Sequence, residues 1–427
     1  MTTVRIALVF LVIATVFFSI PAAEYDDTAS LEPKSYEFSS DVELWPTLAL
    51  YDKSSATYGL KYPSSGPGFS DAYNGKVELR GQYRFAALLA KAEAMAQAGY
   101  ERYSDSAGYT VRFNECYVKW SPSDRFSALA GKRLFRWGKG YFYNPVAFAG
   151  RQKDINDISA ALEGYWGMSV EAVRSFNGPL ATLSITAALL PVYGKMNKGY
   201  TQDSTLAAVA QTYALFFNTD VDFCLYADNR EQIRTGFDFS RNIVPSWEVH
   251  GEWAWSRERQ TRIIETGPVC RDTILRNTHD IVLGTRWLAP TNTTFILDYF
   301  HLGNGHMSDE MDAYYGAMKD AASGSVPART AAQQAMPYYA GQFVMTDYLY
   351  CKASHPEPFT IVYFTPSIYS LVNINDRSFL AGVELTYTRF NHATFIARYM
   401  AFVGKNNSEY GEKAFRHRME VRTEIVF

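Results

Sequence analysis

Apolar and polar residues alternate one for one along most of this chain. At the C-terminus Phe427, Ile425, Thr423, Val421 and Met419 share one face, while Glu424, Arg422, Glu420, Arg418 and Arg416 share the other. A period of two belongs to β-strands, whose successive side chains point to opposite sides. The same alternation returns where Val77, Leu79, Gly81, Tyr83 and Phe85 interleave with Glu78, Arg80, Gln82 and Arg84. It returns again where Ile233, Thr235, Phe237 and Phe239 interleave with Arg234, Gly236, Asp238 and Ser240, and where Trp247, Val249, Gly251, Trp253 and Trp255 interleave with Glu248, His250, Glu252 and Ser256. Each strand has one face for oil and one for water. A two-sided soluble sheet also alternates, but the terminal strand sets charge after charge opposite a face that carries none.

The pattern predicts strands near residues 35–47, 75–88, 90–104, 108–120, 124–137, 163–176, 179–191, 207–218 and 220–228. Nine more follow near 231–242, 246–258, 277–289, 292–303, 340–352, 358–369, 377–388, 391–403 and 413–427. The Ala-rich stretch 86–98 is the most ambiguous of these. The links sort by parity. Ser121–Asp124, Asn177-Gly178, Asn218–Asp220, Ile243–Pro245, Pro290–Asn292 and the joint at Phe390 are short and rich in turn residues. The intervening links 48–74, 138–162, 192–206, 259–276, 304–339 and 404–412 are long. Short turns on one side and long loops on the other are the layout of an outer-membrane barrel with a periplasmic N-terminus.

After residue 23 the longest uncharged apolar run is Thr182–Tyr193, too short for a helix of the ~20 residues that spans a bilayer. Within hydrocarbon only helices and closed barrels satisfy every backbone polar group. The predicted fold is therefore all-β: a transmembrane antiparallel barrel of about 18 strands (16–18 allowed by the pattern), with long extracellular loops. In loop 304–339, Ser308-Asp309-Glu310 starts a predicted helix reaching Met318, and a second runs from Pro327 to Met336. Such a loop is a constriction folded into the lumen, a lid over the mouth, or a plain surface excursion.

Residues 6–20 form an uncharged apolar run behind Arg5, followed by Pro21-Ala22-Ala23 and then Glu24. That is a secretory signal cleaved near residue 23 in preference to a retained anchor, leaving 24–427 as a single barrel domain in a Gram-negative outer membrane. No Cys follows the apolar run to carry a lipid. Composition agrees: aromatic residues make up 15% of the 427 residues, and 41 basic residues nearly balance 44 acidic ones. The near balance excludes a nucleic-acid polyelectrolyte binder, and the 47% hydrophobic content excludes disorder.

Little catalytic chemistry is legible. Cys116, Cys224, Cys270 and Cys351 form no Cys-x-x-Cys, so a metal knuckle, a redox pair and covalent haem all fail. The expectation is no cofactor, no metal and four free thiols, although an exported chain permits disulfides. The Gly131-Lys132 and Gly138-Lys139-Gly140 pairs lack phosphate-loop spacing. His301 and His306 flank a turn. A rim enzyme would need Asp238, Glu248, His250 and Glu252 to converge from neighbouring strands. The stronger reading makes the inward residues Arg80, Arg84, Arg112, Arg234, Asp238, Glu248, Glu252, Arg416, Arg418, Glu420 and Arg422 the wall of a water-filled lumen. Eighteen strands enclose more space than wall side chains fill. The function predicted is passive diffusion of small polar or anionic solutes, with Arg416, Arg418 and Arg422 as an anion stripe. The expected surroundings are outer-membrane lipid and the barrel-assembly machinery, for which terminal Phe427 is the signal. The alternative is a barrel sheathing a multihaem cytochrome, which requires an open lumen.

Three stretches carry a resemblance. They are Glu115–Trp120 leading into Gly131–Gly140 with Asn144-Pro145 beyond, then Asp298–Gly305, then Gly404–Gly411. Together they resemble a porin-like family of outer-membrane barrels related to the alginate exporters. The resemblance implies an 18-stranded barrel. Alginate exporters have strongly arginine-rich lumens, and the mixed wall here departs from that.

Overall fold

In a computed structural model, residues 35–62, 65–153, 162–265, 268–339 and 341–427 are described. The predicted signal, residues 1–23, lies outside them. Eighteen antiparallel strands form one sheet. They are β1 Tyr36–Tyr51, β2 Phe69–Phe85, β3 Leu88–Glu101, β4 Ser106–Ser123, β5 Phe126–Arg133 and β6 Tyr165–Ser175. Next come β7 Leu180–Val192, β8 Thr205–Phe216, β9 Thr219–Asp228, β10 Ile233–Val244, β11 Trp247–Glu265 and β12 Val269–Leu288. The last are β13 Thr294–His301, β14 Asp347–Ser354, β15 Phe364–Asn373, β16 Phe379–Phe390, β17 Ala393–Val403 and β18 Phe415–Val426. β1 pairs with both β2 and β18, so the sheet closes and leaves no edge. Phe427 completes the seam by exchanging backbone hydrogen bonds with Ser40 at 2.8 and 3.1 Å.

The predicted alternation becomes the inside and outside of this barrel. Met419 and Val421 are exposed on the outer face of β18, whereas Glu420 between them is 3% exposed. Outward side chains such as Leu79, Val170, Leu225, Leu283 and Ile368 form an apolar exterior. At one end it is rimmed by Tyr36, Phe85, Trp120, Phe126, Trp247, Trp287, Phe295, Phe390 and Phe427, the aromatic girdle expected where hydrocarbon meets headgroups. Seven of the eight links at that end have two to five residues, 86–87, 124–125, 176–179, 217–218, 245–246, 289–293 and 391–392, and the eighth, 355–363, has nine. In 217–218 both Phe217 and Asn218 take the left-handed φ of a tight hairpin turn, 48° and 56°.

The opposite end carries the long links, with one correction. Segment 259–276, expected to be a loop, is mostly strand: β11 and β12 continue upward as paired arms from Glu258↔Arg276 to Glu265↔Val269. Alternation weakens there because polar residues occupy both phases of the arm, as in Arg259, Gln260, Thr261 and Arg262, so the sequence pattern stops short of the true ends. The Ala-rich stretch is a continuous strand, bulged only where β4 skips Asn114 opposite Glu93 and Ala94, since alanine on the outer face needs only to be apolar.

Three helices sit at the long-loop end: α1 Ala56–Lys61, α2 Ser308–Ala322 and α3 Val326–Tyr339. The predicted start of α2 holds, but its cap is Glu310, which accepts the Met307 N–H at 3.0 Å. Met311, Tyr314, Met318, Ala321, Ala328 and Ala332 face inward-pointing Phe300, Tyr348, Leu371, Leu380 and Met400 in one apolar cluster. This cluster also moves the start of β14 from the expected 340 to Asp347, because the chain before it is packed under the helices.

Candidate solute pathway

The segment after β5 decides what the lumen looks like. From Leu134 onward the chain turns inside the barrel, and the wall formed by β9 to β13 supplies the acceptors that hold it there. Glu252 of β11 accepts the backbone N–H groups of Lys139, Gly140 and Val146, at 2.5, 2.6 and 3.4 Å, and the Asn144 side-chain amide at 2.8 Å. Asp298 of β13 accepts the Tyr141 N–H at 2.9 Å, and Glu248 accepts the Tyr141 hydroxyl at 2.8 Å. The Tyr143 hydroxyl donates to Asp280 at 3.0 Å. Lys139 Nζ lies 2.7 Å from Asp222 and 3.8 Å from Asp238. Lys153 returns to the same turn, donating to the Gly140 and Tyr141 carbonyls at 2.9 Å each. Burial of its ammonium lowers the Lys153 pKa.

Asp238, Glu248 and Glu252 point inward, and each contacts the inserted loop. His250 does converge with them, 3.2 Å from Asp298 and 3.7 Å from Glu248. Gly284 lies between His250 and Asp298 in register, and a Cβ there would sit 2.1 Å from His250 Nε2. This constellation is sealed: His250 is 2% exposed beneath Tyr141, so it offers no open rim site.

The wall from β16 to β2 is built differently. Glu384 pairs with Arg398 at 2.6 Å, Arg398 with Glu420 at 3.6 Å, and Glu420 with Arg422 at 3.1 Å. Arg422 reaches Glu43 at 2.8 Å and lies 4.7 Å over the Trp45 ring. Glu43 meets Lys76, and Lys76 meets Glu78 at 3.3 Å. Arg80 then closes on Asp41 and Glu78 at 2.6 and 3.2 Å. Arg418 joins through Glu420 at 3.4 Å. The expected anion stripe is thus a ladder interleaved with carboxylates: Glu420 stands between Arg418 and Arg422 on β18, and Glu43 reaches Arg422 from β1. Asp41, Glu43 and Glu424 approach within metal-ligating distance of one another, but Lys76 and Arg422 already occupy that space.

Arg416 leaves the stripe altogether. The register slips where Leu50 pairs with His417 and Tyr51 with Phe415, which skips Arg416. Its side chain is 63% exposed and meets Asp52 at 3.2 Å on the rim. Arg84 is exposed at the short-loop end.

Between the inserted loop and the strands from β4 to β12 lies a cavity of about 1260 Å³. Arg112, Arg151, Lys153, Arg230, Arg234 and Arg259 line it against Glu163, Asp228, Glu258 and Asp280. Arg112 is 3.5 Å from Glu163, and Arg234 lies 4.8 Å over the Tyr226 ring. Lys139, Lys153, Asp222, Asp280, Asp298 and Arg398 were missed in the sequence. Asp222, Asp280, Asp298 and Arg398 fall on the inward phase of their strands, so alternation alone could have found them. All four cysteines are free thiols.

This closed barrel has solved counterparts in fold. The fold is that of outer-membrane porins. OpdK of Pseudomonas aeruginosa superposes with a TM-score of 0.52 at 10% identity, over 92% of this chain and 99% of that one. A BenF-like porin of Pseudomonas fluorescens gives 0.56 at 8% identity, over 92% and 99%. OccK9 of Pseudomonas aeruginosa gives 0.54 at 10% identity, over 92% and 98%. No protein-family model and no curated protein sequence matches the chain. With this porin fold the long loops and the helices lie at one mouth, and the aromatic girdle at the other.

Proposed function

We propose that the chain is an outer-membrane channel for passive diffusion of small polar or anionic solutes, with its long loops extracellular and its girdle periplasmic. The observation that carries this reading is the charged, half-open cavity inside a barrel whose exterior is apolar. A dry core would leave such a wall unsolvated, whereas a water-filled lumen solvates it. The cytochrome sheath needs an unblocked lumen, and the loop held by Glu252 argues against it. Kinship with alginate exporters rests on the three sequence stretches. Since the ladder arginines are matched by carboxylates, alginate is not the solute proposed. Terminal Phe427, exposed at the seam, is the part of the chain we assign to the assembly machinery.

Purified, refolded protein in planar bilayers tests the reading. Discrete, ohmic conductance steps are expected. A folded barrel that inserts without conducting would overturn the channel and leave the fold intact.

A further inference from the structure

The β17–β18 link 404–414, which contains the third resemblance stretch Gly404–Gly411, lines no part of the cavity described above. It is instead wound tightly on itself: a Cβ on Gly411 would lie 2.1 Å from the Lys405 carbonyl oxygen. From this compact turn two glutamates point into the mouth, Glu409 at 3% exposure and Glu412 at 2%. The Glu412 carboxylate accepts the Ala56 N–H at the start of α1 and lies 3.4 Å from Lys319 of α2. It also accepts the Asn407 N–H of its own loop at 2.8 Å. Lys319 additionally donates to Asn407 Oδ1. Glu409 Oε2 accepts from the Tyr348 hydroxyl at 2.5 Å and from the Asn373 side chain at 2.7 Å. That same hydroxyl accepts the Val344 and Met345 N–H groups, at 2.8 Å each, from the strap that follows α3. Lys413 donates to the Gly341 carbonyl at 3.0 Å. One short loop therefore grips the helical insert at α1, at α2 and behind α3.

We propose that Glu409 and Glu412 are positioning residues that fasten the helical insert over the β13–β17 side of the mouth, and that this fastening sets the open cross-section of the channel. The inference rests on the channel reading above. A buried carboxylate that holds several donors is costly to remove, and among the described residues the insert has few other polar ties to the wall. The pairing of Arg262 with the Gln334 carbonyl, at 3.0 Å, is one of those others.

Glu409 also gives the fastening a pH dependence. Its Oε1 is buried with no hydrogen-bond partner among the described residues. Burial pushes its pKa from 4.5 up to about 7, Asp376 adds to the rise, and Lys413, Tyr348 and Asn373 oppose it. Tyr315 of α2 and Tyr410 also face this carboxyl. The closed form therefore keeps its proton up to about pH 7, while a released, solvated Glu409 ionises from about 4.5 upward. Closure is favoured in acid and loses ground as pH climbs through that window, levelling off above it.

The test compares the full chain with E412A, E409Q and the conservative E412Q, each checked for an intact barrel by its amide spectrum. Hydrogen exchange of peptides from 308–339 in detergent reports the fastening without reference to conduction. E412A should raise that exchange about tenfold, with E412Q between it and the natural chain, and single-channel conductance should rise with it. Exchange corrected for intrinsic chemistry should rise by tens of fold from pH 5 to 8 in the natural chain and stay nearly flat in E409Q. Unchanged exchange in E412A overturns the fastening. Faster exchange with unchanged conductance overturns the claim that the insert sets the cross-section. A pH response that persists in E409Q overturns the role of Glu409. If the natural chain does not conduct, the channel reading falls, and the exchange result still decides the fastening.

Discussion

The two charged walls of this lumen use the same residue types to opposite ends. From β9 to β13, carboxylates outnumber cations on the strands, and the balance comes from an inserted loop: Lys139 and the N–H groups around it. From β16 to β2, Glu384, Glu420, Glu43 and Asp41 each meet a cation from an adjacent strand, and Glu78 meets Lys76 and Arg80 of its own strand, so these carboxylates are matched without a loop. A buried charge needs a partner because desolvation is otherwise too costly. Where the strands supply partners, a stiff open wall results. Where they do not, the wall recruits a segment that narrows the passage. The inserted segment is thus held by acid that the strands on that side leave unpaired.

Breaking the recruiting wall should have the largest effect. Glu252→Ala orphans the N–H groups of Lys139, Gly140 and Val146 in a buried site and leaves the Asn144 amide only the Gly140 carbonyl. A stability loss of about 3 kcal/mol is expected in denaturant unfolding from detergent, together with larger conductance. Glu252→Gln keeps an acceptor oxygen and should lose less of both. If E252A conducts like the natural chain, the inserted segment is not the constriction.

The ladder should respond less in stability and more in selectivity. Glu420 is shared by Arg398, Arg418 and Arg422, so Glu420→Gln leaves their charge under-compensated and should raise the anion/cation permeability ratio. The stability change should be near 1 kcal/mol, because Arg398 retains Glu384 and Arg422 retains Glu43. A ratio that falls or stays level would mean that the ladder is screened from the solute path.

The ladder was half legible in the sequence and the recruitment was not. Alternation put Arg80, Arg422 and Glu420 inside because lipid excludes charge from every second residue, a local constraint. It put Asp238, Glu248 and Glu252 inside for the same reason. What it could not supply is the partner across the lumen, because that depends on which long loop turns inward. The helix signals at Ser308 and Pro327 drew attention to loop 304–339. Lys139 and Asn144, whose role is to meet Glu252 and Asp222, follow no period at all. Register slips are equally silent, since a one-residue skip changes the face of a side chain without changing the composition around it.

Arg416 shows how small the effect of such a slip should be. By alternation it continues the stripe of Arg418 and Arg422, and its loss would then shift selectivity as theirs does. In the structure the skip at Tyr51↔Phe415 sends it to the rim, 63% exposed beside Asp52. A solvent-exposed pair of that kind is worth less than about 0.5 kcal/mol and is screened by salt. Arg416→Gln should therefore leave both unfolding and the anion/cation ratio within error of the natural chain, while Arg422→Gln, which removes the tie between Glu43 and Glu420, should lower that ratio. Equal shifts in the two variants would place Arg416 back on the lumen wall and overturn its assignment to the rim.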